Sequence, residues 1–317
     1  MNATEMEDHL HRYLAVRSAL GYRNYALRNL MQDFVRYVVA AHEEGPIRAR
    51  TAVDWACATA GRNGASRLAY RLSAARGFLT HLRASIPDTE VPSVGLLKKS
   101  PRRVPYLFSN EQIASLLRKA FELGPEGSLR PQTYATMLGL MASTGIRVGE
   151  AIYLHTEDVH LDSDSPRLEI RESKFRKSRL VPLHPTTAEK LRDYARRRTE
   201  LGNDPLPKAF FVSERQEYLC YETLRSWFRD ATLDLGMRST PDRRTPTIHG
   251  LRHHFAVERL TLWCQQGASA RDLAPQMSVY MGHVSPAESY WYLSSTPALL
   301  KTAADSFQCY TASQGDL

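Results

Sequence analysis

The chain has 317 residues, a formal net charge of +8 and 43% hydrophobic residues, enough for about two packed domains. Its apolar runs are short and interrupted by charge, which excludes a ~20-residue membrane span in the sequence, and its polar, acidic N-terminus is unlike a secretory signal. The four cysteines lie far apart without paired spacing, which favours free thiols in a reducing cytoplasm.

Positive charge is concentrated in the first third of the chain. Residues 1–104 carry 16 Lys and Arg against 9 Asp and Glu, whereas residues 105–317 carry 26 against 25. A basic module beside a nearly neutral remainder indicates a part of the protein that holds a polyanion. A solvated basic surface would have the same composition, so charge alone does not decide between the two.

Helical periodicity dominates the basic third. The apolar spacing predicts helices within 3–43, separated at Gly21, and two more over 51–60 and 66–84. The last of these interleaves arginines with its apolar residues, a pattern that suits phosphate contacts, although a solvated helix face is the alternative. The predicted contacts are Arg67, Arg71 and Arg76.

A break in the helical pattern divides the chain. Prolines and basic residues alternate between 86 and 105, which is typical of a linker. We therefore predict a helical DNA-binding domain over 1–96, a basic linker over 97–106 and a second domain over 107–317. The linker residues expected to follow a DNA backbone are Lys98, Lys99, Arg102 and Arg103.

The second domain is predicted to be mainly α-helical with a small antiparallel β-sheet, an α+β arrangement. Ser109 and Gln112 have the spacing of a capping box at the start of its first helix, and further helices are expected from 132, 149, 187, 221 and 251. Two short alternating runs, 167–171 and 179–183, predict a β-hairpin with Lys174 to Lys177 near its tip. A short amphipathic helix is expected over 297–307.

Two arginines and a histidine in this domain point to phosphoryl transfer. Cleavage of a phosphodiester requires neutralisation of the charge on its oxygens, and the planar guanidinium does this best. Arg147 follows an apolar helix, and Arg252 lies one helical turn after His249, so that the two share a face. His249 would accept a proton from a nucleophile or donate a hydrogen bond to a phosphate oxygen.

A hydroxyl nucleophile and a proton donor complete the set. We favour Tyr292 as the nucleophile, with Tyr290 as the alternative, because a covalent phosphotyrosine conserves bond energy for rejoining without ATP. Lys174 would protonate the leaving oxygen, with Lys177 as the alternative and Arg176 as a weaker one, because arginine rarely gives up its proton. Arg176 and Lys177 are also predicted DNA contacts. No metal or other cofactor is expected.

The motifs carrying these residues resemble those of the tyrosine recombinase, or phage integrase, family. They are Thr144-Gly145-Ile146-Arg147 with Glu150, Lys174 ahead of Arg179-Leu180-Val181-Pro182-Leu183, His249-Gly250-Leu251-Arg252-His253 and Met281-Gly282-His283. In the family the nucleophile follows the last histidine by nine positions, which selects Tyr292 over Tyr290. Met281 replaces the family's leucine and conserves its volume.

The resemblance implies roles for these residues. Arg147, Arg252 and His283 would stabilise the scissile phosphate, Lys174 would be the general acid and His249 the general base. Tyr292 would form a 3′-phosphotyrosyl bond and release a 5′-hydroxyl. The N-terminal helices would be a core-binding domain that clamps DNA together with the catalytic domain.

The resemblance also implies partners. Four protomers would act on two DNA duplexes with inverted-repeat core sites through a Holliday junction, and helix 297–307 would dock on a neighbouring protomer. Because the helices begin at residue 3, we expect a simple recombinase or mobile-element transposase without a separate arm-binding domain, located in the cytoplasm at the nucleoid. The alternatives are a type IB topoisomerase and a DNA-binding accessory recombinase that works in a set.

Overall fold

The computed structural model describes most of the chain and divides it into two compact units, Met1–Arg102 and Arg103–Leu317. The described residues are 3–22, 24–41, 46–58, 64–97, 104–171, 178–201, 207–240, 244–267 and 270–282.

The first unit consists of four α-helices packed around one apolar core. They are α1 (Ala3–Ala19), α2 (Tyr25–Ala40), α3 (Ala49–Ala58) and α4 (Gly64–Arg83). The turn after α1 contains Gly21 at φ +83°, a conformation that glycine adopts without steric cost. Phe34, Trp55 and Phe78 are buried at the centre of the bundle, and Phe34 contacts both other rings. The predicted helices are therefore present in this unit.

The second unit contains seven further helices and a small sheet within its described residues. The helices are α5 (Asn110–Phe121), α6 (Arg130–Thr144), α7 (Val148–Ile152), α8 (Pro185–Leu201), α9 (Tyr221–Asp234), α10 (Ile248–Gln265) and α11 (Ala270–Met281). The predicted capping box is present, since Ser109 Oγ accepts from Gln112 N and Gln112 Oε1 accepts from Ser109 N. Helix α11, which contains Pro275, has no counterpart among the predicted elements.

The sheet has three antiparallel strands in the order β1-β2-β3. They are β1 (Val159–His160), β2 (Arg167–Ile170) and β3 (Arg179–Pro182). Strands β2 and β3 pair in register, with Leu168 opposite Val181, and both of these side chains are buried. The predicted β-hairpin is thus confirmed, as is the mainly α-helical fold class with a small antiparallel sheet. The hairpin tip, 172–177, lies outside the described residues.

Helix α10 begins three residues earlier than its apolar period predicts, at Ile248. Its first turn packs against the segment that leads into α5. A Cβ atom on Gly250 would lie 2.7 Å from the Phe108 ring, and Phe108 O is 2.9 Å from His254 Nδ1, a distance at which Nδ1–H donates. This contact fixes the helix that carries His249 and Arg252.

None of the helices in the described parts of the chain has the length and apolar character needed to cross a membrane.

Helix α6 ends in a left-handed glycine, and we predict that this position tolerates no side chain. Gly145 has φ +66°, and a Cβ atom there would lie 2.4 Å from Phe255 Cδ1. The backbone strain of Gly145→Ala together with the crowding of Phe255 should lower the free energy of unfolding by about 3 kcal/mol.

Gly236→Ala is the matched control for this substitution. Gly236 has φ +71° with no heavy atom within 4 Å of its virtual Cβ. Its replacement should therefore cost only the strain, about 1 kcal/mol. Urea denaturation of both variants measures the difference, and equal costs would contradict a packing role for Gly145.

Candidate phosphoryl-transfer site

Arg147 is fixed by the turn between α6 and α7. After Gly145 the backbone becomes extended, and Arg147 occupies the N-cap position of α7. Glu150, in the first turn of that helix, binds both ends of this residue: Oε2 accepts from Arg147 N and Oε1 from Arg147 Nη1, each at 2.8 Å. The acidic residue also complements the positive end of the helix. The short Thr-Gly-x-Arg-x-x-Glu segment therefore orients its own arginine.

The same carboxylate binds a second arginine from the sheet. Arg179, at the start of β3, donates from Nη1 to Glu150 Oε1 at 3.0 Å and from Nη2 to Glu150 Oε2 at 2.8 Å. Its Nε donates to Tyr280 O at 2.9 Å, near the end of α11. Both side chains of this pair are nearly buried, with 11% of Arg179 and 7% of Glu150 exposed. Two hydrogen bonds that join one guanidinium to one carboxylate are among the strongest side-chain hydrogen bonds in proteins.

Arg252 is almost completely buried and holds two helix ends together. It is 1% exposed, and it donates from Nη1 to Gly145 O and from Nη2 to Met281 O. Arg147 Nη2 donates to Gly282 O at 2.7 Å. The two predicted phosphate-binding arginines therefore converge on consecutive carbonyls, those of residues 281 and 282, immediately before residue 283.

His249 lies one turn before Arg252 on α10, as its spacing predicts. Its ring packs edge-on against His253, with 4.7 Å between the ring centroids. Part of the His249 side chain is accessible to solvent, but the protein atoms packed around the ring displace much of the water near it. This loss of solvation, followed by the positive charges of Arg252 and Arg147, lowers the pKa of His249 to about 4. The imidazole is therefore neutral at pH 7 and has a free lone pair for a proton or a hydrogen-bond donor.

The structure thus brings together three of the six predicted catalytic residues, namely Arg147, His249 and Arg252. The other three, Lys174, His283 and Tyr292, lie outside the described residues. Lys174 belongs to the segment that joins β2 to β3, and His283 directly follows Gly282.

The three predicted DNA contacts on α4 differ in their exposure to solvent, and one of them, Arg71, is buried. Arg67 is exposed, as a phosphate contact requires. Arg76 is partly buried and donates from Nε to Pro92 O and from Nη2 to Ser93 O, each at 2.8 Å. It therefore holds the segment that follows the helical bundle. The predicted contacts beyond α4 lie outside the described residues: Lys98, Lys99, Arg102, Arg103, Arg176 and Lys177.

Arg71 is a core residue, which corrects its prediction as a DNA contact. It is 4% exposed, and its Nη2 donates to Asp33 Oδ2 at 3.0 Å and to Trp55 O at 3.2 Å. Its guanidinium also stacks on the Trp55 ring at 3.8 Å, a favourable cation–π distance. The arginine faces the bundle because α2 supplies a carboxylate for it, which the sequence of α4 does not reveal.

Glu150 and Arg179 have no role in the set of residues predicted from the sequence. Both stand inside the recognised motifs, Glu150 three residues after Arg147 and Arg179 at the first position of the second strand. Their charge could have indicated a role, because a carboxylate and a guanidinium that become buried beside a site require partners.

The low pKa of His249 predicts a pH dependence of stability. The folded protein binds this proton only below about pH 4, whereas an unfolded histidine binds it below about pH 6.5. The contribution of His249 is therefore fully present above pH 6.5 and is lost as the pH falls from there towards 4.

We expect the free energy of unfolding to decline more steeply across this window in the wild type than in His249→Gln, which cannot titrate. Urea denaturation at several pH values measures both slopes. Parallel pH profiles would contradict the assigned pKa.

The two α4 arginines give a second matched comparison. Arg71→Met removes one of the two side-chain donors to Asp33 Oδ2, the other being Trp55 Nε1, together with the bond to the Trp55 carbonyl and the stacking on the Trp55 ring. The free energy of unfolding should therefore fall by about 2 kcal/mol. Arg67→Met, on the exposed face, should change it by less than about 0.5 kcal/mol. Thermal or urea unfolding distinguishes the two, and equal effects would contradict the core assignment of Arg71.

Comparisons with known proteins agree with the resemblance of the motifs. Residues 108–298 match the phage integrase family. The chain is 35% identical over 296 residues to the putative integrase/recombinase y4rB of Sinorhizobium fredii, a match that covers 92% of this chain and 93% of that protein. It is 29% identical over 214 residues to the tyrosine recombinase XerD of Oceanobacillus iheyensis, covering 67% and 64% of the two chains.

Solved structures share the fold. XerH site-specific recombinase, in a post-cleavage complex with palindromic difH substrate, matches 97% of this chain and 85% of its own with a TM-score of 0.67 and 17% identity. A lambda integrase tetramer bound to a Holliday junction matches 90% and 76% with a TM-score of 0.62 and 18% identity.

The family match spans more than half of the chain, includes Arg147, His249 and Arg252, and is supported by a relative that is 35% identical along almost the whole sequence. This chain belongs to the phage integrase family.

Proposed function

We propose that this protein is a site-specific DNA recombinase that cuts and rejoins DNA through Tyr292 on behalf of a mobile element. The observation that carries the proposal is the convergence of two guanidiniums, those of Arg147 and Arg252, and a neutral imidazole, that of His249, beside the position that precedes His283. This combination offers charge stabilisation and proton acceptance in one place, which phosphodiester cleavage requires.

In the cleavage step, the Tyr292 hydroxyl oxygen attacks the scissile phosphorus and its proton passes to His249. A new bond forms between phosphorus and the tyrosine oxygen, and the bond from phosphorus to the 5′-oxygen breaks. The Lys174 ammonium group donates a proton to that leaving oxygen. Arg147, Arg252 and His283 stabilise the charge on the non-bridging oxygens.

In the rejoining step, the 5′-hydroxyl oxygen of a partner strand attacks the phosphorus and its proton passes to Lys174. The bond from phosphorus to the Tyr292 oxygen breaks, and His249 returns a proton to that oxygen, which regenerates Tyr292. The bond energy is conserved in the intermediate, so ATP is not needed, and the charge is neutralised by arginines instead of a metal ion. Exchange between two duplexes creates a Holliday junction. The lambda integrase structure, a tetramer bound to such a junction, supports this assembly. The predicted helix over 297–307, which lies outside the described residues, would join neighbouring protomers.

The basic first unit would hold the DNA. We propose residues 1–96 as the core-binding domain, 97–106 as the linker and 107–317 as the catalytic domain, which together clamp an inverted-repeat site. The exposed Arg67 and the linker residues would contact phosphates, whereas Arg71 is excluded by its burial. The protein would then work in the cytoplasm, at the nucleoid. The relatives named as putative integrase/recombinases support a role in DNA integration or recombination, and we propose that a mobile element uses it.

Covalent trapping on DNA of randomised sequence tests the proposal, because it requires no defined target site. The protein is incubated with a library of nicked duplexes, and adducts that resist denaturing detergent are sequenced and digested for mass spectrometry. We expect a defined inverted-repeat sequence joined through its 3′-phosphate to Tyr292. Tyr290→Phe is the matched control and should still form the adduct, whereas Tyr292→Phe should not.

The recovered site then separates the alternatives. Joining of two site-bearing duplexes supports the recombinase, whereas relaxation of any supercoiled plasmid would indicate a topoisomerase. Equal, negligible adduct from the wild type and Tyr292→Phe would leave only an accessory DNA-binding role. Binding to the site should weaken steeply with salt because phosphate contacts release counterions.

A further inference from the structure

We propose that Arg179 is a positioning residue for the cleavage reaction: through Glu150 it sets the place of Arg147 and preserves the positive charge that Arg147 presents to the scissile phosphate. This inference rests on the proposed function. Its basis is the hydrogen-bond arrangement around Glu150, which none of the predicted catalytic roles uses.

Four hydrogen bonds occupy the acceptor positions of the Glu150 carboxylate. Oε1 accepts from Arg147 Nη1 and Arg179 Nη1, and Oε2 accepts from Arg147 N and Arg179 Nη2, all within 3.0 Å. A carboxylate has about four lone-pair sites, so these four bonds leave it little freedom to rotate. Arg147 is therefore oriented against a carboxylate that Arg179 holds on its other edge.

Arg179 also binds the end of helix α11. Its Nε donates to Tyr280 O, while Arg147 Nη2 donates to Gly282 O two residues later. Gly282 has φ +64°, and a Cβ atom there would lie 3.1 Å from Arg179 Nη1. The end of α11 thus lies directly on the two guanidiniums. Arg179 thereby links three segments: the hairpin strand β3, the Arg147 turn and the residues that lead into position 283.

Arg179 also sets the net charge of the group formed by Arg147, Glu150 and Arg179. If Glu150 bound Arg147 alone, the two charges would cancel within this nearly buried pair. Because the single carboxylate is divided between two guanidiniums, the group of three keeps a net positive charge. Arg179 has too little exposure to serve as an ordinary surface contact, since 11% of its side chain is accessible. Its charge acts on the phosphate through the Arg147–Glu150 pair.

The test compares Arg179→Met with wild type in single-turnover cleavage of the site recovered by covalent trapping. At saturating protein we expect adduct formation to slow about 100-fold, the order of loss that a misplaced catalytic group causes, while affinity for DNA stays close to wild type. Arg198→Met is the matched control. Arg198 is also buried and donates to backbone carbonyls, those of Pro207 and Ala209, so its loss should affect stability without slowing cleavage by folded protein.

Two further readouts separate positioning from a general structural effect. Glu150→Gln and the double variant with Arg179→Met should cleave about as slowly as Arg179→Met, because the two residues act as one unit. A substrate with sulfur in place of the leaving 5′-oxygen needs no protonation of that atom. It should restore Lys174→Ala but not Arg179→Met, because Arg179 acts through the phosphate clamp.

The outcomes are distinguishable from failure of the proposed function. If the wild type forms no adduct, the proposed function fails and this inference fails with it. If the wild type cleaves and Arg179→Met cleaves equally fast, only the positioning role is overturned. Full restoration of Arg179→Met by the sulfur substrate, or losses that add in the double variant, would also overturn it.

Discussion

The Glu150 carboxylate is the interaction on which the candidate site depends. It receives hydrogen bonds from the backbone and side chain of Arg147 and from two nitrogens of Arg179. Arg147 and Arg179 in turn bind the carbonyls of Gly282 and Tyr280, so the Glu150 carboxylate connects helix α7, strand β3 and the end of α11. A buried carboxylate is costly unless it is paired and hydrogen-bonded, and here the pairing itself aligns the arginine of the site.

Arginine binding at helix ends explains how the site can be both rigid and positively charged. The carbonyls of Gly145, Met281 and Gly282 lie at or just past helix ends, where the last carbonyls lack partners within the helix, and they accept from Arg252 and Arg147. These neutral carbonyls hold the guanidiniums without cancelling their charge, and the carboxylate that also binds Arg147, that of Glu150, is shared with Arg179. Burial contributes most to the low pKa of His249, and the positive charges of Arg252 and Arg147 lower it further. The residues that would bind the phosphate therefore help to keep the proposed proton acceptor neutral.

The sequence predicts those features of the fold that depend on local pattern. Apolar period, the Ser109–Gln112 box and strand alternation predict the helices, the cap and the hairpin because each signal lies within a few residues. Helix α11 is missed because it contains Pro275, a residue that normally interrupts a helix. Arg71 and Arg179 could not be assigned in this way, because their partners lie far away in sequence: Asp33 is 38 residues from Arg71, and Glu150 and Tyr280 are 29 and 101 residues from Arg179.

The central claim is that Arg147, held by Glu150, neutralises phosphate charge during cleavage. Its most direct test compares Arg147→Ala with wild type on two substrates, the natural phosphodiester and a scissile methylphosphonate, which lacks the negative charge. The account predicts a loss of about 100- to 1000-fold on the phosphodiester and a small one on the neutral substrate. Equal losses on both substrates would contradict it, because Arg147 would then act by something other than charge.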